Sequence, residues 1–436
     1  MYRKVSEYFK KWMADDYRKP LIIQGARQVG KTYAILEFGK QNYDNVAYFN
    51  FQTDETLSET FNESIKLDYL LPLLSRISGQ TITKGRTLIV FDEVQLCERA
   101  LTSLKYFCEE APEYHVIAAG SLLGVAVNRE RHAFPVGKVD RYTMYPMNIE
   151  EFFIAMGESQ LVNQIRASFE ANSPMPAALH EAAYSLYRQY LAVGGMPEAV
   201  ARYKDTKDFL QVRHVLETIS MDYLDDMSKY QESTNEIKKT RLTYGTVAVQ
   251  LSKKNARFQY KLIKTGARAA EYENAIEWLV SSNLIHRIYR VENIAKPLEN
   301  YKDIDDFKIY LSDAGLLCAQ KGISAQDVLY MESELDDFKG GMTENYVYTE
   351  LVRAGFKPFY WRNDKGTKEV DFVIIYKDKI TPVEVKSGTH VKSESLDEYA
   401  RLFKPTLSIR ISEKNFGFEN NIKSIPLYAA FCLSPD

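Results

Sequence analysis

Short apolar runs alternate with helical patterns over the first 145 residues. The runs fall at residues 21–23, 46–51, 87–91, 116–119 and 142–145. The run at 87–91 is almost continuously apolar, which is typical of a strand that is buried on both faces. Because strands that alternate with helices form parallel sheets, this part of the chain predicts a parallel sheet with helices on both faces.

From about residue 150 the alternation stops and helical patterns dominate. Residues 172–178, "NSPMPAA", predict a break between helices. Gly194 and Gly195 predict a turn, and Pro197 is well placed in the first turn of the helix that follows. We interpret this turn as structural and assign no chemistry to it.

A winged-helix arrangement is predicted between residues 237 and 311. The pattern gives three helices, at Leu242–Leu251, Gln259–Ile263 and Arg268–Val280, and two strands, at His286–Val291 and Phe307–Leu311. Three helices followed by a two-stranded wing are the elements of a winged helix.

The end of the chain predicts a helix, three strands and a second helix. Glu344 lies in the first helical pattern, and "PFYWR" follows as a strand. Val370 to Tyr376 and Ile380 to Val385 are apolar, β-branched runs joined by a polar turn, which predicts a hairpin. A helix is expected from about Ser393.

Length and composition limit the class of protein. The chain has 436 residues, too many for one core, and its 56 Lys and Arg nearly balance its 59 Asp and Glu. Overall charge therefore predicts no nucleic-acid partner, and only local clustering can. The amino end lacks the apolar core of a signal peptide, no window approaches a membrane span, and the four cysteines show no metal or redox spacing. We expect a cytoplasmic protein with no membrane partner.

The strongest chemical signal is a phosphate-binding loop after the first strand. It has the pattern G-x-x-x-x-G-K-T and consists of Gly25, Ala26, Arg27, Gln28, Val29, Gly30, Lys31 and Thr32. In a strand–loop–helix context, such glycines let backbone N–H groups surround phosphate oxygens. Lys31 would neutralise the β- and γ-phosphates of ATP, and Thr32 would bind Mg²⁺. The alternative is a Gly-rich turn that matches by chance.

Three residues at the ends of later strands complete the predicted nucleotide site. Asp92 ends the run 87–91 and is expected in the magnesium shell, and Glu93 is expected to orient or deprotonate the attacking water. Ser121, after the run 116–119, is expected to sense the γ-phosphate, although Ser after Gly is also common in turns. An arginine often stabilises the transition state. Arg129, Arg131 and Arg141 are candidates between which the sequence does not choose.

A basic segment suggests a nucleic-acid partner. Residues 237–270 contain nine Lys or Arg, among them Lys253, Lys254 and Arg257, and no Asp or Glu. Phosphate contacts require such a cluster, which makes DNA the expected partner. The alternatives are a solvated basic face and a winged helix used only for packing. The third predicted helix also carries Glu271, Glu273 and Glu277, which argues against close contact with base edges along its length.

The hairpin at the end of the chain carries a charged set. Glu384 and Lys386 point to the same face of their strand, and Asp371 starts the strand that folds back opposite them. With Glu344 on the preceding helix, the order and residues resemble the PD-(D/E)XK nuclease core. The resemblance implies that Asp371 and Glu384 bind Mg²⁺, that Lys386 positions or deprotonates a water, and that Glu344 completes the metal shell directly or through water. A charged hairpin and an inactive fold of this type remain alternatives.

The chain as a whole resembles a large class of prokaryotic ATP-binding proteins. The resemblance rests on "GARQVGKT", "LIVFDEVQ", "AAGSLLG", "YLAVGGMPEAV" and "EVDFVI…VEVKSG". In this class an AAA-type P-loop core precedes a carboxyl-terminal domain of unknown function, DUF4143. The resemblance implies ATPase activity, a winged helix and a nuclease-like tail, and no established substrate. Relatives tend to have Gly-Arg at "FPVGKVD", which weakens any arginine role carried over onto Lys138.

These observations predict an α/β protein with three domains. They are an AAA-type P-loop parallel-sheet core at 1–150, a helical and winged-helix middle at 151–330, and a PD-(D/E)XK nuclease-like domain at 331–436. The expected function is ATP-dependent action on DNA, with ATP and Mg²⁺ as cofactors. Binding or hydrolysis of ATP is expected to change how the last two domains bind DNA. The alternative is a nucleotide-controlled signalling switch that binds a protein partner and carries an inactive tail. The oligomeric state stays open, a homo-oligomer included.

Overall fold

The computed structural model describes residues 1–121, 134–231, 233–253, 257–330, 336–389 and 393–435. The chain divides into two compact units. The first consists of Met1–Tyr145 with Ser281–Asn283, and the second of Pro146–Val280 with Leu284–Asp436. The predicted boundary near residue 330 falls inside the second unit.

The first unit is built on a five-stranded parallel sheet. Its strands are β1 (Leu21–Gln24), β2 (Asn45–Asn50), β3 (Thr87–Asp92), β4 (His115–Gly120) and β5 (Asp140–Thr143). The strand order is β2-β3-β4-β1-β5, and each neighbouring pair is parallel. Each predicted apolar run overlaps one of these strands, and the predicted parallel sheet is confirmed. The carboxyl ends of β1, β3 and β4 therefore meet at one edge.

The helices of the first unit are α1 (Val5–Ala14), α2 (Lys31–Asn42), α3 (Glu55–Glu63), α4 (Leu67–Ser78) and α5 (Glu98–Glu110). Phenylalanines from strands and helices form the core on one face of the sheet. Phe91 of β3 contacts Phe49, Phe51, Phe61 and Phe107, with ring centroids 5.5 to 6.2 Å apart. Tilted and edge-to-face contacts of this kind stabilise a core beyond the area they bury. They fix the strand that ends at Asp92.

The second unit begins with helices. They are α6 (Ile149–Ala155), α7 (Ser159–Ala171), α8 (Ala177–Val193), α9 (Pro197–Thr206), α10 (Phe209–Tyr230), α11 (Thr234–Leu251), α12 (Ala269–Ser281), α13 (Ala314–Lys321), α14 (Ala325–Tyr330), α15 (Asp336–Arg353) and α16 (Glu394–Phe403). The predicted helical middle is confirmed. Within the described residues, no helix is both long enough and apolar enough to cross a membrane.

The turn at Gly194 and Gly195 has a structural role, as expected. A side chain at Gly195 would place its Cβ 2.0 Å from the carbonyl oxygen of Met147. The backbone N–H of Gly195 donates to Oδ2 of Asp313 at 2.6 Å, and Asp313 is fully buried. The turn thus joins α8 to the start of α13, and only glycine fits this close approach.

The winged-helix segment contains two of its three predicted helices, as α11 and α12. The predicted helix Gln259–Ile263 is wrong in length, because only a 3₁₀ turn, Tyr260–Leu262, is present. The preceding segment instead pairs with a strand, since Phe258 N donates to Phe307 O at 2.8 Å and the two rings stack. The wing strands are β6 (Ile285–Val291) and β7 (Lys302–Leu311), which pair antiparallel. Whether this segment is a winged helix stays a prediction.

The wing strands belong to the same sheet as the strands at the end of the chain. Those strands are β8 (Phe359–Arg362), β9 (Glu369–Tyr376), β10 (Lys379–Val385), β11 (Ser408–Ser412), β12 (Gly417–Glu419) and β13 (Ile422–Pro426). The eight-stranded sheet has the order β12-β13-β11-β10-β9-β8-β6-β7. The pairs β8–β9 and β9–β10 are antiparallel, and β10–β11 is parallel. The predicted hairpin is confirmed as β9–β10, with Lys377 and Asp378 both left-handed in its turn.

Candidate nucleotide and metal sites

The phosphate-binding loop connects β1 to α2, as the motif predicts. Gly25 has a φ of 145°, and a Cβ there would lie 2.1 Å from the carbonyl oxygen of Met144. Gly30 has a φ of 89° and precedes the first residue of α2. Both positions therefore need glycine, because other residues rarely adopt such angles. The loop closes on the amino end of a 12-residue helix, whose N–H groups favour anions.

Lys31 is held inside this loop. Its side chain is buried, and Nζ donates to the carbonyl oxygens of Gly25 and Ala26 at 2.9 and 2.8 Å. Burial lowers the pKa of Lys31 to about 8, against the opposing effect of the Glu93 and Asp92 carboxylates. The ammonium thus lies at the centre of the loop, where the phosphates of a nucleotide are expected.

Arg3 supports the loop from outside the motif. One guanidinium nitrogen donates to the carbonyl oxygen of Val29 at 2.7 Å, and another donates to that of Tyr145 at 2.7 Å. Arg3 is buried, so these two hydrogen bonds are shielded from water and hold the loop in position. Sequence reasoning missed Arg3, which lies 26 residues from Val29 and carries no local signal.

Asp92 lies where the predicted magnesium ligand should be. Its Oδ2 accepts hydrogen bonds from Thr32 Oγ1 and from the hydroxyl of Tyr48, each at 2.8 Å. Its Oδ1 accepts from the backbone N–H of Glu93 at 3.0 Å. Burial raises the pKa of Tyr48 to about 12, so the phenol remains a donor. Tyr48, in β2, was also missed by sequence reasoning.

Glu93 and Ser121 are brought together beside Asp92. Glu93 has a φ of 51°, and its Oε2 accepts from Gln95 Nε2 at 2.5 Å. Ser121 is buried, and its hydroxyl lies 3.5 Å from the same Glu93 oxygen. The left-handed conformation turns the chain sharply at the end of β3 and is uncommon outside glycine, which makes this position unusual.

Of the three arginines predicted as catalytic candidates, the structure describes Arg141. Arg129 and Arg131 lie outside the described residues. Arg141 is exposed and lies over the ring of Phe134, with 4.0 Å between its guanidinium carbon and the ring centroid. Lys138 pairs with Glu109 at 2.8 Å. The arginine that would act in catalysis stays unassigned.

In the second unit, Asp371 lies on β9 and faces β10. Its Oδ2 accepts from the backbone N–H of Val385 at 2.7 Å. Burial, and after it the neighbouring carboxylates of Glu384 and Glu344, raise the pKa of Asp371 well above its ordinary value, with Lys308 opposing them. The hairpin therefore brings the predicted carboxylates close enough for their charges to interact strongly.

Glu384 is buried and has one oxygen without a partner. Its Oε1 accepts from Lys386 Nζ at 2.7 Å and from Ser393 Oγ at 2.8 Å. Its Oε2 is buried, and none of the residues that the structure describes offers it a hydrogen bond. Buried carboxylate oxygens are almost always paired, so an orphan oxygen beside Asp371 is the kind of atom that a bound cation would satisfy.

Glu344 is engaged by two residues of β7. Its Oε1 accepts from Lys308 Nζ at 2.7 Å and from the hydroxyl of Tyr310 at 2.5 Å. Lys308 also contacts Glu369 Oε1 at 2.6 Å, and its side chain is fully buried. Sequence reasoning missed Lys308 and Tyr310, although a lysine within the apolar end of a strand is a signal that could have been noticed.

These carboxylates fit a divalent cation only in part. Among the residues that the structure describes, no group of three or more His, Cys, Asp or Glu side chains is placed to hold one metal ion. A metal site here would therefore rest on Asp371 and Glu384, completed by backbone oxygen or water. The metal roles of Asp371, Glu384 and Glu344 all stay predictions.

The basic segment contains both paired and clustered charges. Lys254 lies outside the described residues. Arg257 forms an ion pair with Asp306, with 3.3 Å between its Nε and the Asp306 Oδ1. On α12, Glu273 and Glu277 both pair with the buried side chain of Arg287 on β6. Three lysines line a groove of about 540 Å³ between α11 and the turn before α12, which we call the lysine groove: Lys238, Lys239 and Lys264. Glu271 lines it as well.

Comparison with known proteins confirms the predicted resemblance at both ends of the chain. Residues 17–153 match the model of an AAA domain, and residues 339–430 match that of a domain of unknown function, DUF4143. Between them, residues 184–327 match another domain of unknown function, DUF8612. The chain thus combines an AAA-type P-loop core with a carboxyl-terminal DUF4143 region. No curated protein matches the chain.

The chain is also similar to several solved structures. A Walker-type ATPase of Pyrococcus abyssi is 15% identical, with 72% of this chain and 94% of that one covered and a TM-score of 0.43. The ORC2 protein of Aeropyrum pernix is 11% identical, with 78% and 92% covered and a TM-score of 0.34. DnaA from Aquifex aeolicus is 14% identical, with 64% and 87% covered and a TM-score of 0.28.

Proposed function

We propose that this chain is an AAA-type ATPase that acts on DNA, and that its carboxyl-terminal carboxylates bind one or more divalent cations for phosphodiester cleavage. The observation that carries the second part is the orphan oxygen of Glu384, which is buried beside Asp371 and next to Lys386. The first part rests on the loop around Lys31 and the bonded pair of Thr32 and Asp92.

At the nucleotide site, each residue has a separate task. Lys31 would exchange its bonds to loop carbonyls for bonds to the β- and γ-phosphates. Thr32 and Asp92 would hold Mg²⁺, which supplies charge neutralisation when bound. Glu93, held by Gln95, would orient the attacking water and accept its proton, and Ser121 lies close enough to Glu93 to contact the same region.

At the carboxyl-terminal site, Asp371 and Glu384 would be the direct metal ligands. A bound Mg²⁺ or Mn²⁺ would activate a water and stabilise charge on the scissile phosphate. Lys386 would place a positive charge beside the same phosphate, because its ammonium already lies 2.7 Å from Glu384. Ser393 fixes the Glu384 carboxylate and so restricts the direction of its other oxygen.

The lysine groove supports DNA as the substrate. Its three lysines come from two elements and converge on one concave surface, as phosphate binding requires. One observation favours the alternative, a nucleotide-controlled switch that binds a protein. The acidic residues on α12 would repel DNA if this helix entered a groove, although Arg287 neutralises part of their charge.

The proposed function is tested by incubating the full chain with labelled duplex and single-stranded DNA, with and without ATP and with Mg²⁺ or Mn²⁺. We expect metal-dependent cleavage by the wild type and none by Asp371→Ala. Lys386→Ala should still bind metal but cleave at least ~100-fold more slowly, the usual effect of removing one charge from a transition state.

Matched controls lie in the same hairpin. Asp378→Ala and Lys379→Ala remove the same kinds of side chain from exposed positions of the turn and of β10 and should leave cleavage unchanged. Salt-dependent DNA binding without cleavage would indicate a tail without catalytic activity. A chain that binds no DNA under any condition would instead support the protein-binding switch.

A further inference from the structure

A buried lysine from outside the hairpin lies among the carboxylates of the proposed metal site. Lys308 lies on β7, and its side chain has no exposed surface. Its ammonium contacts Glu344 of α15 at 2.7 Å and Glu369 of β9 at 2.6 Å. A lysine this deep is normally tolerated only when its charge is paired, so these two carboxylates hold it in place.

Glu369 connects this pair to the proposed metal ligands. Glu369 and Asp371 are two residues apart on β9, so both side chains project from the same face. Asp371 in turn interacts with Lys308, Glu344 and Glu384. The six charged groups form one network, which we call the carboxylate cluster: Lys308, Glu344, Glu369, Asp371, Glu384 and Lys386.

The paired oxygens of the carboxylate cluster suggest how many metal ions it takes. Two-metal sites need carboxylates that serve both ions, which lie about 3.5–4 Å apart. Glu344 instead has one oxygen bound to Lys308 and Tyr310, and Glu369 has one oxygen bound to Lys308. The Lys308 ammonium thus takes up carboxylate oxygens that a second ion would need.

We infer that the Lys308 ammonium replaces a second metal ion in the carboxylate cluster, so that the site binds a single divalent cation through Asp371 and Glu384. This inference rests on the proposed metal-dependent function. Lys308 acts here as a positioning residue, since it pairs with Glu344 and Glu369 rather than with either proposed ligand of the metal.

The test counts bound Mn²⁺ by calorimetry and by electron paramagnetic resonance, on the full chain without nucleotide. Every sample carries Asp92→Asn, which removes the magnesium ligand of the phosphate-binding loop. We expect one Mn²⁺ per chain, and none when Asp371→Asn is added. Lys308→Met should bind two, because it frees Glu344 and Glu369 without leaving a cavity.

A variant that lacks Lys308 and both of its partners separates folding from metal binding. Lys308→Met/Glu344→Gln/Glu369→Gln removes the ammonium together with the two carboxylates that it contacts, so no buried charge is left unpaired. We expect it to bind one Mn²⁺, as the starting protein does. If Lys308→Met alone does not fold, this triple variant decides the question. Absence of Mn²⁺ from it would show that Glu344 or Glu369 is a direct ligand and would overturn the inference.

The remaining outcomes distinguish the inference from the function on which it rests. Two Mn²⁺ ions in the protein that retains Lys308 would overturn the inference and leave metal-dependent cleavage in place. A folded Lys308→Met variant that still binds one Mn²⁺ would also overturn it. No Mn²⁺ at Asp371 in any sample would overturn the proposed metal site, and the inference with it.

Discussion

Asp92 shows how a single carboxylate can be fixed by its neighbours before any ligand is present. It accepts hydrogen bonds from Thr32, Tyr48 and the backbone of Glu93. Bonds to an ionised acceptor are about twice as strong as bonds between neutral groups. The carboxylate therefore has one orientation, and the Glu93 side chain begins from a fixed backbone position.

This arrangement predicts different effects for two substitutions in the nucleotide site. Lys31→Ala should abolish ATP binding, because it removes the buried charge that faces the phosphates. Glu93→Gln should keep binding and reduce hydrolysis by roughly 10²–10⁴-fold, the typical contribution of a general base. ATP binding by fluorescence titration and phosphate release at steady state measure the two effects separately.

Exposed residues of the same unit serve as controls for these substitutions. Lys40→Ala and Glu37→Gln change an exposed pair on α2 and should leave both binding and turnover unchanged. Equal turnover in the wild type, Lys31→Ala and Glu93→Gln would contradict the assignment of this loop and strand end to ATP hydrolysis.

For single residues, the sequence predicts those that belong to local motifs. It misses those that lie far along the chain from the residues they contact. Lys31 and Thr32 follow from spacing within eight residues. Tyr48 lies 44 residues from its partner Asp92, and Arg3 lies 26 residues from its partner Val29. No local pattern marks either residue. Lys308 differs from them, because a lysine within the apolar end of a strand is a local signal, although its partner Glu344 lies 36 residues further along the chain.

Among the elements, strand β7 has two roles. It pairs with β6 at both of its ends, including the predicted wing strand Phe307–Leu311, and that same buried end carries Lys308 and Tyr310 to Glu344. The pattern predicted only the apolar end, Phe307–Leu311, because "KDIDD" before it is polar. Backbone pairing with β6 extends the strand through that polar stretch, an effect that a local pattern does not report.

The two elements that form the lysine groove give a prediction for DNA binding. Lys238→Glu together with Lys264→Glu should weaken binding to all sequences alike, since phosphate contacts carry no sequence information. The dependence of log affinity on log salt should fall by about one unit for each phosphate that the variant no longer binds. Fluorescence anisotropy at several salt concentrations measures both quantities.

Lys204→Glu together with Lys321→Glu reverses two exposed lysines on α9 and α13, which makes it the control matched for charge, and it should leave the salt slope unchanged. A slope that is the same in the groove variant and the wild type would show that the groove does not contact phosphates. The protein-binding switch would then be the better account of this segment.

For the whole molecule, the sequence predicts the order of elements better than the limits of the folded units. The AAA-type core and the DUF4143 region follow from motifs and are confirmed by the family models. A boundary at 330 was predicted from the change of pattern, but the structure groups residues 146–280 with 284–436. Contacts across that point are long-range: Tyr184 donates to Ser412 O at 2.7 Å, and β6 pairs with β8.

These contacts predict that a fragment of residues 331–436 cannot fold alone, whereas residues 146–436 can. The short fragment leaves Glu344 without Lys308 and Arg362 without Asp306, its ion-pair partner on β7. Breaking a buried pair costs about 3–5 kcal/mol, a large share of the ~5–15 kcal/mol that stabilises a typical domain. Calorimetry should show cooperative unfolding of residues 146–436, at a midpoint temperature that Mn²⁺ raises. Residues 331–436 should show no cooperative transition.

A cooperative transition of the short fragment, at a midpoint temperature that depends on Mn²⁺, would contradict this prediction. It would favour an independent nuclease-like domain, because the carboxylates would then be held in place without β7.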